Sequence, residues 1–338
     1  MVALAHPLPA YGGDEEAVLT VVLAVGRAQG WAERGFEVAR VQLVLPSGRV
    51  AHHSIPVGSP RDASASAVPI PKLALWRAPT DNDGLKLADM QDLKPLGRWR
   101  AAGLDALDCL RTETRSRGAK TVVEFEWRGA DPSLAITQRE RWTRLPDGSV
   151  IVAEAIRIPD GIEDLPRIGM RWDLPPELDQ VTWYGRGPVE SYPDRRRGAH
   201  LGRFAQSVAD QYVPYVVPQE HGGHADTRWG VVHGADGRGL LVTAAEPFQW
   251  NVSQFTPEEL TAATHAEELE PSGTATTMHL DSRHRGLGTL SCGPDTLPEY
   301  RIGAGRYRFT WAMRTVNAKW DDLPAIARDL RAACLRLR

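Results

Sequence analysis

Apolar and polar residues alternate with a period of two along several stretches of the chain. The pattern occurs over residues 36–43, 123–127 and 307–313, and residues 150–158 repeat it after a Pro-Asp-Gly turn at 146–148. Such alternation places one face of a strand in a core and the other in water. Residues 18–25 are a further β-branched run of strand length. The chain is therefore predicted to be all-β, with many short antiparallel strands separated by Gly, Pro and Asp turns.

Two segments carry helical signals instead. Thr256 precedes Pro257, and Glu259 follows at the third helical position, which predicts a capped helix start. Near the end of the sequence, apolar residues recur at helical spacing from Leu323 to Leu337, with arginines between them. We predict a C-terminal helix that covers the sandwich, or alternatively docks on a partner.

Residues 57–67 are small and polar without periodicity, as expected of a linker. We therefore predict a small β-sandwich module at 1–60, a large antiparallel β-sandwich at 61–320 and the C-terminal helix at 321–338. A length of 338 residues is sufficient for this arrangement.

The composition excludes several classes of protein. A net charge of −3 lacks the basic excess that binding to nucleic acid requires. Cys109, Cys292 and Cys334 are far apart, so we expect neither a disulfide framework nor a zinc site. Neither a signal peptide nor an apolar run of about 20 residues is present, so we expect a cytoplasmic protein without a membrane partner.

Five segments carry a resemblance to a known family. They are residues 183–195, 215–228, 248–265 and 281–295, together with Trp76-Arg77-Ala78-Pro79-Thr80-Asp81-Asn82-Asp83. In the same order, they resemble segments of the C-terminal sandwich domain of the multidomain β-galactosidases of glycoside hydrolase family 2. The resemblance covers most of residues 65–315.

The resemblance implies a fold. The large domain is expected to be a galactose mutarotase-like supersandwich of two large twisted antiparallel sheets. The module at 1–60 resembles part of the immunoglobulin-like domain that precedes this sandwich in the same enzymes.

The resemblance also implies that the catalytic residues lie elsewhere. In this family, the two catalytic glutamates lie on a (β/α)8 barrel, which needs about 250 residues and βα alternation. The chain has no room for such a barrel beside the two β domains, and its sequence shows no βα alternation. We therefore expect no catalytic residue here, and expect the C-terminal or small-subunit portion of a β-galactosidase acting on terminal β-galactosides such as lactose. Its partner would be a barrel-bearing domain or large subunit, without which it would be inactive.

Polar residues of the resembling segments are the candidates for the sugar cleft. His284 is the strongest, because the two glycines after it allow close backbone approach to a ligand. For Arg77, Asp81 and Asn82, a structural corner is favoured, because Asp and Asn side chains readily hydrogen-bond to their own backbone. The candidates are Arg77, Asp81, Asn82, Glu220, His221, Arg228, His265, Asp281, His284, Gly286 and Gly288.

The family implies two further features of the site. A loop of this sandwich offers a tryptophan platform for the sugar, but residues 286–294 contain no Trp, so stacking should be weaker or supplied elsewhere. The Mg and Na sites of the family lie in the barrel and its neighbour. We therefore expect no cofactor and no metal in this chain.

Two alternatives remain open. A free-standing mutarotase-like aldose epimerase would need a general base and a general acid. Glu220, His221, His265, Asp281 and His284 are candidates, although loop-fixing hydrogen bonds are favoured for each. The other alternative is a carbohydrate-binding or assembly module without chemistry.

Overall fold

The structure is a computed structural model that describes residues 16–45, 70–85, 94–129, 131, 133–271, 273 and 275–337. The chain divides into two compact units, Met1–Pro56 and Val57–Arg338. The predicted linker at 57–67 lies outside the described residues, and the proposed domain boundaries stay predictions.

Strands dominate the described residues. They are β1 (Val18–Ala24), β2 (Glu37–Val44), β3 (Lys72–Ala74), β4 (Asp108–Arg117), β5 (Lys120–Arg128), β6 (Ala135–Arg144), β7 (Val150–Ile158), β8 (Arg167–Leu174), β9 (Gln180–Gly187), β10 (His200–Ser207), β11 (His224–His233), β12 (Arg238–Ser253), β13 (Thr276–His284) and β14 (Gly305–Asn317). The predicted all-β class is confirmed.

The α-helices of the described residues are short. They are α1 (Pro95–Ala101), α2 (Pro257–Ala262) and α3 (Leu323–Arg336). The predicted cap of α2 is confirmed, because Thr256 accepts from the Glu259 backbone and the Glu259 side chain accepts from the Thr256 backbone. The predicted C-terminal helix is also confirmed. It buries Leu323 and Leu330 and packs on β7, β12 and β14.

In the first unit, β1 and β2 form an antiparallel two-stranded sheet. Several of its apolar side chains are exposed, among them Leu23 at 62% and Val38 at 58%. A pair of strands alone is marginally stable in water. The immunoglobulin-like module expected at 1–60 stays a prediction, because much of it lies outside the described residues.

In the second unit, all twelve described strands join one hydrogen-bonded sheet through β12. β12 pairs with β14 over Arg238–Ala244 and with β13 over Gln249–Ser253. Pro247 lies between these stretches and has no N–H to donate, which suits a change of partner. The two sheets expected from the resemblance are therefore two limbs of one curled sheet, because a 16-residue strand is long enough to serve both.

Buried tryptophans fill the space that the curled sheet encloses. Trp172 of β8 lies edge-on to Trp311 of β14, with ring centroids 5.2 Å apart. Trp311 also meets Trp142 of β6 at 5.9 Å. Such aromatic contacts add about 0.5–1.5 kcal/mol to the burial of each ring. The two limbs thus share one core.

Two carboxyl groups face each other inside this core. Glu140 of β6 lies directly opposite Glu154 of β7. The amide nitrogen of Gln138 donates to both, at 2.9 and 3.2 Å, while the indoles of Trp142 and Trp311 each donate to one. Burial raises the pKa of Glu140 to about 7, and burial with the nearby Glu140 charge raises the pKa of Glu154 to about 8. The pair therefore favours a protonated state.

This pair should make the fold less stable as the pH rises. A carboxyl with a raised pKa in the folded state contributes stability below pH 4.5, and that contribution is lost as the pH rises to about 8. The quantity to compare is the change in the free energy of unfolding that Glu154→Gln causes at each pH. We expect this change to be more stabilising at pH 8 than at pH 5 by on the order of 1–3 kcal/mol. Urea denaturation at the two pH values measures this. The exposed Glu299→Gln is the control, and an equal effect of Glu154→Gln at both values would contradict the expectation.

Candidate functional site

The turn after β3 is built around a buried arginine. Arg77 donates two hydrogen bonds to the Asp83 carboxylate, at 2.7 and 2.9 Å, and one to the Arg285 carbonyl at 2.7 Å. The backbone N–H and the hydroxyl of Thr80 donate to the same carboxylate, at 2.9 and 3.0 Å. The expected structural corner is present, although its central acid, Asp83, was not among the candidates.

Three of the candidates meet around Arg167, the first residue of β8. Its guanidinium donates to Glu220 at 2.7 Å and lies 3.6 Å from Asp281. His284 Nε2 lies 3.5 Å from the Glu220 carboxylate. Their relative exposures are 0% for Arg167, 6% for Glu220, 1% for Asp281 and 6% for His284. We call these four residues the Arg167 cluster.

The cluster shifts the protonation of its members in opposite directions. Burial opposes ionisation of Glu220, but Arg167, His284 and Arg77 together outweigh it, and the pKa falls to about 2. Burial raises the pKa of Asp281 to about 7, because Arg167 compensates only in part and the Glu220 charge adds to the rise. Burial lowers the pKa of His284 to about 4, and the Glu220 charge opposes this only in part. At neutral pH, Glu220 is thus ionised and His284 is neutral.

A second arginine, Arg285, extends this arrangement toward the next loop. It donates to Asp164 at 2.9 Å, to Asp295 at 2.7 Å and to the Thr296 hydroxyl at 2.7 Å. Its guanidinium lies over the Trp99 ring, 5.9 Å from the centroid. Arg285 is 1% exposed, so its positive charge is compensated inside the protein.

The loop of residues 286–294 is held from two sides. The Asp194 carboxylate accepts from the N–H groups of Leu287 and Gly288, at 2.9 and 2.8 Å. From the other side, Asn82 donates to the Gly288 carbonyl at 2.8 Å and accepts from the Ser291 hydroxyl at 2.7 Å. The tip, which includes Cys292, is exposed. A buried frame therefore presents an exposed loop tip.

The glycines of this loop leave room for the protein itself. A Cβ at Gly286 would lie 2.7 Å from the Asp194 carboxylate, and one at Gly288 would lie 2.4 Å from the Thr296 hydroxyl. Gly288 also has a φ of +67°, which favours glycine. The absence of a side chain at these two positions, which we expect to allow close approach of a ligand, here allows close approach of the Asp194 and Thr296 side chains.

The remaining candidates lie outside the Arg167 cluster. Asp81 is exposed, and its N–H donates to the Gln219 side chain at 3.1 Å. His221 is buried, with Nδ1 at 3.0 Å from the Gln219 carbonyl. Arg228 lies over the Tyr184 ring at 5.9 Å. His265 has a side chain that is 69% exposed and pairs with Glu268 at 3.0 Å.

Sequence reasoning missed four positions of this frame: Asp83, Arg167, Asp194 and Arg285. All except Arg167 lie within the resembling segments, so for these three the segment was selected and the residue was not. Arg167 opens an ordinary strand, and nothing local distinguishes it from a surface arginine. The many acidic and imidazole groups that need a buried counter-charge were the available signal.

Within the described ranges, no three His, Cys, Asp or Glu side chains are arranged to hold a metal ion. No helix in that part of the chain is long and apolar enough to cross a membrane.

Comparison with known proteins gives the family. The model of the family described as "Beta galactosidase small chain" matches residues 59–313. The chain belongs to this family. It is 30% identical to a β-galactosidase from Arthrobacter sp. (strain B7) over 88% of this chain, and 32% identical to one from Vibrio cholerae serotype O1 over 71% of this chain. It spans 33% and 23% of these proteins, so it corresponds to about a third or less of their length.

Two of the solved structures with partial likeness are aldose epimerases by name. A GalM/aldose epimerase homologue from C. elegans matches with a TM-score of 0.36 and 13% identity, over 61% of this chain and 69% of that chain. A putative aldose 1-epimerase from Escherichia coli K12 matches with a TM-score of 0.32 and 13% identity, over 61% and 68%. Likeness at this level supports no statement about activity.

The Arg167 cluster should be essential for the stability of this family member. Arg167→Met would leave Glu220 and Asp281 buried beside no direct cation, which costs about 3–5 kcal/mol. We expect this loss in the free energy of urea unfolding. The control is Arg111→Met, which removes an exposed pair with Glu113 and should cost under about 1 kcal/mol. Equal stability of the two variants would contradict the prediction.

The loop of residues 286–294 should depend on Asp194. Asp194→Ala removes the acceptor of two loop N–H groups, so their amide hydrogens should exchange at least about tenfold faster. Hydrogen exchange with peptide-level mass spectrometry measures this. Asp210→Ala is the matched control, because Asp210 accepts from Ser207 elsewhere in the fold. Unchanged exchange at 287 and 288 in Asp194→Ala would show that the tether is not needed.

Proposed function

We propose that this chain is the C-terminal or small-subunit portion of a β-galactosidase, which hydrolyses terminal β-galactosides such as lactose. It completes the substrate cleft of a barrel-bearing polypeptide and contributes no catalytic carboxylate. Membership of the small chain family supports this proposal, as does the chain's span of about a third of its relatives.

The observation that carries the proposal is the loop of residues 286–294 on its buried frame. Catalytic groups must reach the substrate, whereas Glu220, Asp281 and His284 are enclosed and engaged with Arg167. What the frame offers to its surroundings is the exposed loop tip. The arrangement suits a wall of a cleft whose chemistry comes from another polypeptide.

The carboxyl pair of the core does not supply that chemistry. Retaining glycosidases need two carboxyl groups that reach the sugar from opposite sides. Glu140 and Glu154 are each 3% exposed, and Gln138 bridges them. They are therefore buried hydrogen-bonding groups of the core and do not contact a substrate.

The loop tip carries no tryptophan platform of the kind that the family resemblance implies. Its exposed residues include Ser291 and Cys292, so contact with the sugar would be polar and weak. We propose that Arg77 and Asn82 act through the loop by fixing its base, and that Asp81 lies at its rim. The Mg and Na ions of the family are assigned to the barrel-bearing part.

The proposed compartment is the cytoplasm. Cys109 and Cys292 are exposed and Cys334 is buried, and all three are free thiols. Free exposed thiols fit a reducing environment.

The epimerase alternative has less support. An epimerase needs a carboxylate and a histidine that both contact the sugar ring. Glu220 and His284 are adjacent, but both are about 6% exposed and bound into an arginine network. No observation specifically favours epimerisation.

Hydrolysis of nitrophenyl-β-galactoside tests the proposal. We expect no turnover by this chain alone and turnover when it is mixed with a barrel-bearing β-galactosidase polypeptide that lacks this portion. Asp194→Ala should raise KM in the mixture more than it lowers kcat, because it loosens a cleft wall and leaves the catalytic pair intact. Hydrolysis by this chain alone would refute the proposal, as would mutarotation of α-galactose by polarimetry with no gain on mixing.

A further inference from the structure

A groove of about 490 Å³ crosses the outer face of five strands, β4, β5, β6, β7 and β14. Its outward side chains alternate with inward ones such as Ile156, which lies in the core. None of the candidate residues of the previous sections lines it. The volume is in the range of sites for small molecules.

The register of the strands arranges the lining in rows. The first row runs across the strands as Arg306, Arg157, Thr137, Glu126 and Arg111, each opposite the next. It therefore has two arginines at one end and a mixed pair at the other.

The second row is adjacent to the first. It runs as Arg308, Ala155, Arg139, Glu124 and Glu113. Ala155 is the smallest side chain of the two rows and lies between Arg308 and Arg139. The floor of the groove is therefore open next to the arginines.

The charges are compensated at one end only. Glu113 pairs with Arg111, Glu124 lies 3.4 Å from Arg139, and Glu126 lies 2.8 Å from Arg128. These acids already have basic partners.

At the other end, Arg157, Arg306 and Arg308 are exposed, and none has an acidic partner within 4 Å among the described residues. Arg306 and Arg157 face each other directly, and like charges in that position destabilise a sheet. Three exposed arginines at neighbouring positions of one sheet face, without an acidic partner, suit an anion, which arginine binds through paired N–H groups.

The other end restricts the kind of anion. The carboxylates of Glu124 and Glu126 would repel a polyanion, but they accept hydrogen bonds from hydroxyl groups, as does Thr137. A ligand with one anionic group and several hydroxyls matches both ends.

We propose that this groove binds a small anionic carbohydrate, such as a sugar phosphate or a uronic acid. Its phosphate or carboxylate lies on Arg157, Arg306 and Arg308, and its hydroxyls face Thr137 and Glu126. This site is independent of the proposed role in galactoside hydrolysis.

Isothermal titration calorimetry of the full chain tests the proposal. The probes are galactose 6-phosphate, galacturonic acid, inorganic phosphate and galactose. We expect binding of at least one of the first two, with inorganic phosphate and galactose at least tenfold weaker. The two first probes distinguish a phosphate ester from a carboxylate as the preferred anion.

Variants locate the site. Arg306→Gln and Arg157→Gln should each weaken binding about tenfold or more, since a charge-assisted hydrogen bond is lost. Arg117→Gln, on exposed β4 outside the groove, is the matched control and should change the affinity less than twofold. Without ligand, Arg306→Gln should leave the melting temperature unchanged or raised, because it removes a like-charge opposition.

Several outcomes would overturn the proposal. They are absence of binding by both anionic sugars, equal binding of inorganic phosphate, and equal loss of affinity in Arg117→Gln. A lower melting temperature of Arg306→Gln without ligand would show that the arginines serve the fold instead.

Discussion

The large unit depends on the pairing of one buried cation, Arg167, with the acids around it. A guanidinium without solvent is tolerated only when carboxylates compensate it. Glu220 and Asp281 do so from two different segments, and His284 completes the contact. The segment that contains Asp281 and His284 continues into Arg285 and the loop of residues 286–294. Charge compensation thereby fixes where the turn after β3, the strand β13 and the segment before β11 meet.

Patterning predicted the strands because their alternation is local. β5, β7 and β14 follow from period-two sequences, and α2 follows from its cap. The joining of two limbs through β12 was not predictable from such patterns. Hydrogen-bond partners of a strand depend on residues far away in sequence. The alternation around residue 247 therefore does not indicate that the partner strand changes there from β14 to β13.

For the candidate site, resemblance predicted the segments but not the role of each residue. Resemblance selected segments that the structure brings together, and Arg77, Glu220, Asp281 and His284 lie in buried ionic contacts, while their role at a sugar cleft stays a prediction. It could not separate residues that touch a ligand from residues that hold a loop, since both are polar and both lie in turns. Gly286 and Gly288 illustrate the difficulty. A glycine in a loop indicates that another atom lies close to the backbone, but not whether that atom belongs to a ligand or to the protein. Here the nearest atoms belong to Asp194 and Thr296.

The shared strand β12 has a consequence for how damage spreads through the protein. Its first half is hydrogen-bonded to β14 and its second half to β13. A residue inserted near Pro247 would change the offset between the two halves, so β12 would not keep its register with β14 and with β13 at the same time. Because both limbs hydrogen-bond to this one strand, we expect damage to it to weaken both of them.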